Sequence, residues 1–277
     1  MYADDIKIYM TIKNDTDHSE LQQYLLDFHQ WCNRNRLSLC IEKCRVISFT
    51  RAREIKNTSY TVNGLPIERT NAMKDLGVIL DSKLSFDQQT EEVITRGNQL
   101  LGMLFRITRD FKDPVCIKAL YCGIIPPVLE YACVVWKPST QRLSERMESI
   151  QRPLSRYATR LLPWPPGSQL PTYETRLLLL GLLPLHIRRR TTQQLFVAGL
   201  LQSNIDCPSL LQQLIFYAPA VQLRSRPLLA LNRSRTGYGS RDPLNSMIRV
   251  FNEVRHLFDF GTSVQSFKNC LRSELLR

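Results

Sequence analysis

The sequence has no C-x-x-C pair, only four histidines, and no apolar run approaching a membrane span. Each shortage excludes something. The eight cysteines (Cys32, Cys40, Cys44, Cys116, Cys122, Cys133, Cys207 and Cys270) mostly stand among apolar neighbours, as in Val115-Cys116-Ile117 and Ala132-Cys133-Val134. Without ligand spacing they suggest neither a zinc site nor a disulfide framework. Buried free thiols in a reducing compartment are the expectation. His18, His29, His186 and His256 lie far apart and read as surface or boundary residues. The longest apolar run, residues 177–185, is interrupted by Gly181 and Pro184 and is far shorter than the roughly 20 residues a spanning helix needs. The first residues carry two acids and no apolar segment, so no secretory leader is expected. A soluble protein inside the cell, nuclear or cytoplasmic, follows as the default. There is no glycine-rich phosphate loop, no nucleophile elbow, no ribonuclease-H-like set of carboxylates, no internal repeat and no low-complexity tract.

What is abundant is arginine, and it is unevenly placed. The chain carries a net charge of +12. Residues 1–150 hold 20 Lys+Arg against 19 Asp+Glu, whereas residues 151–277 hold 17 against 6. A half of the chain at +11 points to an anionic partner, nucleic acid first. The plain alternative is a helical domain with an arginine-rich solvated face.

Periodicity changes along the chain. Ile6, Ile8 and Met10 alternate with Lys7 and Tyr9, so residues 2–13 read as a hairpin with Asp4-Asp5 at its turn. Leu21, Tyr24, Leu25, Phe28, Trp31 and Cys32 recur at helical spacing, with Asp17-x-x-Glu20 as a capping box. Residues 44–50 and 76–80 read as strands. Asn63-Gly64, between apolar alternations, marks a hairpin turn. From there the pattern is helical. Ser85 is read as the cap of a helix reaching Ile107. Asp113-Pro114 opens another, which Pro126-Pro127 should break. Residues 140–161 form a basic amphipathic stretch that Pro153 should kink. The proline-rich residues 163–171 read as a linker. Helices are expected near 172–180, 184–203, 208–216, 242–259 and 263–276, the fourth opened by Asp242-Pro243, with a basic loop over 224–241. The order is α+β, a small β-rich part with one helix, followed by an all-α part.

The most chemically loaded dipeptide is Asp4-Asp5, within MYADDIKIYM. Adjacent aspartates are ordinary turn formers. Held on a tight turn between two strands, they can also ligate Mg²⁺, a hard cation that takes oxygen ligands. Consecutive strand residues face opposite ways, so Asp4 is expected as the main ligand and Asp5 as the secondary one.

Tyr2-Ala3-Asp4-Asp5 resembles the second catalytic motif of reverse transcriptases. Further pieces are similar to one branch, the polymerases of non-long-terminal-repeat retrotransposons of the insect type. They are WCNRNRLSLCIEKC (31–44), KDLGV (74–78), DSKLSF (81–86), Leu120-Tyr121, PVLEY (127–131), Val135-Trp136, Ile150-Gln151-Arg152, Arg235-Thr236-Gly237-Tyr238-Gly239 and the helix from Pro243. Their order and spacing carry the resemblance more than any one of them.

The resemblance implies a partial palm over 1–84, a helical thumb over 85–162, the linker over 163–171 and a basic helical C-terminal region over 172–277. It implies an RNA-directed DNA polymerase with Mg²⁺ as cofactor and RNA and DNA, as template and primer, for partners. Asp4 and Asp5 would be the metal-binding carboxylates. Lys43 would approach the phosphates of the incoming nucleotide, or else is a solvated lysine. Leu76 and Gly77 would lie on the strand gripping the primer, or in an ordinary buried strand. Tyr2 would lie near the nucleotide, or in the core. Arg152 and the cluster Arg188, Arg189 and Arg190 would contact nucleic acid, although three arginines at a helix end can equally serve its terminal carbonyls. The sequence departs from the pattern at Leu39-Cys40, where asparagine is common, and at Pro153, where the family continues a basic helix. It also shows no earlier strand bearing the first catalytic aspartate, and no fingers. The expectation is therefore a fragment that starts within a palm and is inactive alone. The alternatives are a non-catalytic nucleic-acid-binding module or the product of a pseudogene.

Overall fold

A computed structural model describes residues 5–50, 58–110, 113–163, 169–218, 227–233 and 242–275. The fold is α+β: short strands lie in the first part of the chain and helices dominate the rest. The chain divides into two compact units, residues 1–85 and 86–277.

In the first unit, helix α1 (Asp15–Arg34) begins at a reciprocal cap. Asn14 Oδ1 accepts from the Asp17 amide at 3.0 Å, and the Asp17 carboxylate accepts from the amides of Asn14 (3.0 Å) and Lys13 (2.6 Å). The box therefore lies three residues before the expected Asp17-Glu20 pair, because Asn14 in extended conformation can reach the third helical amide. Those two amides hold the Asp17 carboxyl below its usual range. One face of α1 is tied to a strand: the Gln22 amide group takes the Thr61 N–H at 2.9 Å and gives to the Thr61 carbonyl at 2.8 Å. The side chain thus satisfies the Thr61 backbone as a neighbouring strand would.

The strands form three two-stranded pieces. β1 (Arg45–Val46) runs parallel to β4 (Glu68–Arg69). β2 (Thr61–Val62) and β3 (Leu65–Pro66) make the expected hairpin, with Val62 opposite Leu65. Asn63 and Gly64, both at positive φ (52° and 74°), supply the turn that matches strand twist. β5 (Ala72–Asp75) and β6 (Val78–Asp81) make a second hairpin of the same kind. Here Leu76 and Gly77 are the turn, at φ 44° and 81°, rather than strand residues. The strand expected over 44–50 shrinks to β1. Of the hairpin expected over 2–13, residues 2–4 lie outside the described residues; Asp5 forms a β-bridge, residues 6–13 belong to no strand, and Tyr9 is 93% exposed.

The second unit opens with α2 (Asp87–Ile107). Its cap is Phe86 in the left-handed region, not Ser85, whose N–H and hydroxyl bind the Asp81 carboxylate instead. Asp113 caps α3 (Pro114–Glu130), accepting from Val115 N at 2.9 Å, as the Asp-Pro pair foretells. Pro126 and Pro127 do not break α3. An interior proline costs about 3 kcal/mol. Ile125 and Leu129, both fully buried one turn apart, offset that with roughly 1.5–3 kcal/mol each. The basic stretch is two helices, α4 (Gln141–Glu148) and α5 (Gln151–Arg160). Pro153 falls in the first turn of α5, where its missing N–H would have had no partner anyway, so it does not kink a continuous helix.

Then come α6 (Tyr173–Leu180), closed by Gly181 in the left-handed region, and α7 (Leu185–Leu201). The short α8 (Pro208–Leu211) stops well before 216; Phe216 pairs with Leu229 as a lone bridge. Asp242 caps α9 (Pro243–Glu253), and α10 (Val264–Leu275) ends the described chain. Part of the expected 224–241 loop, including residues 235–239, and most of the expected linker lie outside the described residues. Within them, Leu229 is fully buried, its N–H and carbonyl held by the Asn252 side chain. One core joins α7, α9 and α10 around Phe251, whose ring meets Phe258 edge-on at 5.1 Å and Phe267 at 6.1 Å. A stripe of α3 (Ile117, Tyr121, Ile125, Leu129) is buried to 1% or less, while Leu104 of α2 and Leu154 of α5 are likewise enclosed.

All eight cysteines are free, but only Cys32 and Cys133 are buried; Cys40 and Cys270 are exposed. The expected burial of the thiols is corrected for the rest. Among the described residues no helix is long and apolar enough to cross a membrane.

Candidate nucleic-acid interface

Tyr2 and Asp4 lie outside the described residues. Asp5 is exposed. Lys7 pairs with Asp75 at 2.6 Å, which ties the segment after the acidic pair to the residue just before the Leu76-Gly77 turn. Leu76 is 45% exposed at that turn. Lys43 ends a 3₁₀ turn, Ile41–Lys43, and faces solvent. Among the described residues no three histidine, cysteine or acidic side chains converge. A Mg²⁺ site needs several hard oxygen ligands. The described residues do not make one.

The motifs in the second unit meet instead in a buried polar network. Tyr121 donates to Gln151 Oε1 at 2.7 Å. Gln151 Nε2 donates to the Leu183 carbonyl at 3.1 Å and to the Tyr173 hydroxyl at 3.2 Å. Tyr173 donates to Glu148 at 2.5 Å. Glu148 also accepts from the amides of Leu185 (3.2 Å) and His186 (3.3 Å), the first two helical residues of α7. A carboxylate from α4 therefore caps α7, whose own N-cap, Pro184, has no side-chain acceptor. Burial pushes the Tyr121 phenol up, and burial together with the Glu148 hydrogen bond does the same to Tyr173.

The arginine triplet is part of the same structure. Arg188 is paired with Glu130 of α3, its Nη2 at 3.0 Å. Arg189 is 7% exposed and lies over the Trp136 ring, 4.4 Å from its centroid. It also donates to the Trp136 carbonyl at 3.0 Å and to Met147 Sδ. Arg190 is paired with Glu253 of α9. Each is engaged within the molecule, and Arg189 is buried against Trp136. A cleft of about 240 Å³, lined in part by Lys137, Glu148, His186, Arg189, Arg190 and Ser246, opens above this network.

Arg152 is different. It is exposed on α5, with its guanidinium 5.5 Å from the Tyr173 ring centre. Arg156 and Arg160 continue from it at intervals of four and are also exposed, while Leu154, Ser155, Ala158 and Thr159 face the core. The sequence carried the signal for this ridge in its i, i+4 spacing. Reading 140–161 as one kinked helix hid it, because the phase restarts at Gln151.

Comparison with known proteins agrees with the motifs. The chain is 24% identical over 161 residues to a probable RNA-directed DNA polymerase from transposon X-element of Drosophila melanogaster, covering 57% of this chain and 18% of that protein. It is 31% identical over 166 residues to the RNA-directed DNA polymerase from mobile element jockey of Drosophila funebris, covering 56% of this chain and 17% of that protein. The chain is similar to mobile-element reverse transcriptases. The jockey polymerase of Drosophila melanogaster is 27% identical over 143 residues, 49% of this chain and 15% of that protein. The matched segment thus spans less than a fifth of each of these reverse transcriptases. No protein-family profile matches the chain, and no solved structure does.

Proposed function

We propose that the chain is the part of a non-long-terminal-repeat retrotransposon reverse transcriptase that runs from the end of the palm through the thumb into the C-terminal helical region. In this role it holds RNA and DNA rather than carrying out polymerisation alone. The observation that carries the reading is the similarity to three RNA-directed DNA polymerases over about half the chain. The charge distribution supports it: the second unit, residues 86–277, holds 25 Lys+Arg against 14 Asp+Glu, while the first is nearly neutral. Mg²⁺ would need carboxylates beyond those the described residues bring together. Asp4-Asp5 is this chain's contribution to such a site.

The test is primer extension on a primed RNA template with Mg²⁺, paired with binding of the same RNA–DNA hybrid by fluorescence anisotropy. Binding without extension is the expected result. Template-dependent synthesis that is lost in Asp4→Ala would overturn the inactivity. Absence of binding at 50 mM salt would overturn the nucleic-acid role.

A further inference from the structure

The reverse-transcriptase reading does not say which surface holds nucleic acid, and the arginine triplet is committed to internal pairs. We infer that the exposed face of α5, formed by Arg152, Arg156 and Arg160, is the surface on which the phosphate backbone of a nucleic-acid duplex is seated. This rests on the reading in the preceding section.

Four observations carry it. First, the three arginines repeat at i, i+4 and i+8, so they stand on one side of the helix about 6 Å apart along its axis. Together they span about 12 Å, the axial rise of three to four nucleotides of one strand. Second, the opposite face fixes their direction. Leu154 and Ser155 are fully buried and Ala158 is 1% exposed, so the helix cannot roll. Third, α5 carries no acid, and none of the three arginines has an ion-pair partner among the described residues. That is the reverse of Arg188 and Arg190.

Fourth, a further guanidinium lies beneath them. Arg176 of α6 is 6% exposed and donates to Ser155 Oγ at 3.1 Å and to the Pro171 carbonyl at 2.6 Å. Arg152 and Arg176 both lie against the Tyr173 ring, at 5.5 and 5.8 Å from its centre. Burial pulls the Arg176 guanidinium below its ordinary value. Arg156 and Arg152 push it the same way, against Tyr173 and Glu174, the one acid acting on it. The helix and its support are therefore a positive field short of counter-charge. A row of phosphates supplies that charge, and the forked guanidinium suits each phosphate bidentately.

The chemistry also describes the kind of binding. The one aromatic residue of α5, Tyr157, is turned inward, its hydroxyl donating to the Thr108 carbonyl at 2.8 Å and its ring edge-on to Phe105. With no stacking platform on the ridge among the described residues, contact is to the backbone and independent of sequence.

The experiment compares the full chain with Arg152→Gln/Arg156→Gln/Arg160→Gln and with the corresponding triple lysine variant. Each is titrated against an RNA–DNA hybrid, single-stranded RNA of the same sequence, and vesicles containing phosphatidylserine, from 50 to 200 mM salt. The expected result is at least about tenfold weaker hybrid binding for the glutamine variant, with the slope of log K against log salt reduced by about 2–3. The lysine variant, which keeps the charge, stays within a few-fold of the parent. Arg156→Gln and Arg160→Gln singly should each lower the slope by about one, and neither removes an ion-pair partner among the described residues. Hybrid binding by the parent that is unchanged in affinity and slope in all variants overturns the ridge and leaves the reverse-transcriptase reading standing. No hybrid binding by the parent overturns that reading itself. Tighter binding of single strand than hybrid overturns the duplex assignment. Vesicle binding that depends on the three arginines, with weak nucleic-acid binding, overturns the choice of partner.

Discussion

Replacing Gln151 with leucine tests whether the polar network is a working unit. Gln151 is fully buried and has three partners: Tyr121, Tyr173 and the Leu183 carbonyl. Leucine fills most of the same volume but removes every hydrogen bond. The Tyr173 hydroxyl keeps Glu148 as its acceptor, so it is not orphaned. The Tyr121 hydroxyl, on a residue 1% exposed, and one lone pair of the Leu183 carbonyl are. A buried polar group left without a partner costs about 1–3 kcal/mol, so the variant should lose roughly 2–5 kcal/mol. Tyr121→Phe alone strands Gln151 Oε1 and should lose about 1–2 kcal/mol. In the double variant the Tyr121 hydroxyl is gone together with its acceptor. The combined loss should therefore fall short of the sum by about 1–2 kcal/mol. Urea unfolding followed by far-UV circular dichroism, with unchanged m values, measures all three losses. Losses that add within about 0.5 kcal/mol would refute the coupling, and with it the claim that these motif residues act together.

Alkaline pH should unfold the second unit. Tyr121 and Tyr173 have folded-state values raised above the ordinary phenol value of about 10. Their contribution is complete below that unfolded value and is lost as pH rises past it. Tyrosinate absorbance should show these two phenols ionising only with unfolding, and Tyr121→Phe should flatten the pH dependence. Gly97→Ala and Gly102→Ala should differ in sign. A Cβ at Gly97 would come within 2.8 Å of Leu129 and 3.0 Å of Ile150, both fully buried, for a loss of about 1–3 kcal/mol. At Gly102 a Cβ would meet only the Arg106 side-chain end at 3.9 Å, so helix propensity should give up to about 1 kcal/mol of stabilisation. Thermal melts of the two variants check the contrast.

The legible features were those with local chemistry behind them. Asn63-Gly64 declares its turn because few other dipeptides tolerate two positive φ angles. Asp113-Pro114 and Asp242-Pro243 declare helix starts through an acceptor side chain and a residue that needs no donor. What escaped was decided by partners distant in sequence. Pro126-Pro127 stays helical because its neighbours are enclosed by other helices. Ser85 loses the cap position to the pull of Asp81. Leu76-Gly77 becomes a turn because Ala72–Asp75 supplies a strand the pattern had not marked. The exposed ridge of α5 was visible only once its helix was known to begin at Gln151. Arg188, Arg189 and Arg190 look like the strongest phosphate site in the sequence, yet Glu130 of α3, Trp136 in the segment after it and Glu253 of α9 claim them.

Glu148 is the last residue of α4, and its two carboxylate oxygens cap the first turn of α7, whose amides lie 37 and 38 positions downstream. A polypeptide ending before Leu185 would keep this 12%-exposed carboxylate but lose two of its donors. The front of the helical unit is thus completed by its rear, and expression pieces cut between the two should be held together poorly however helical each sequence is.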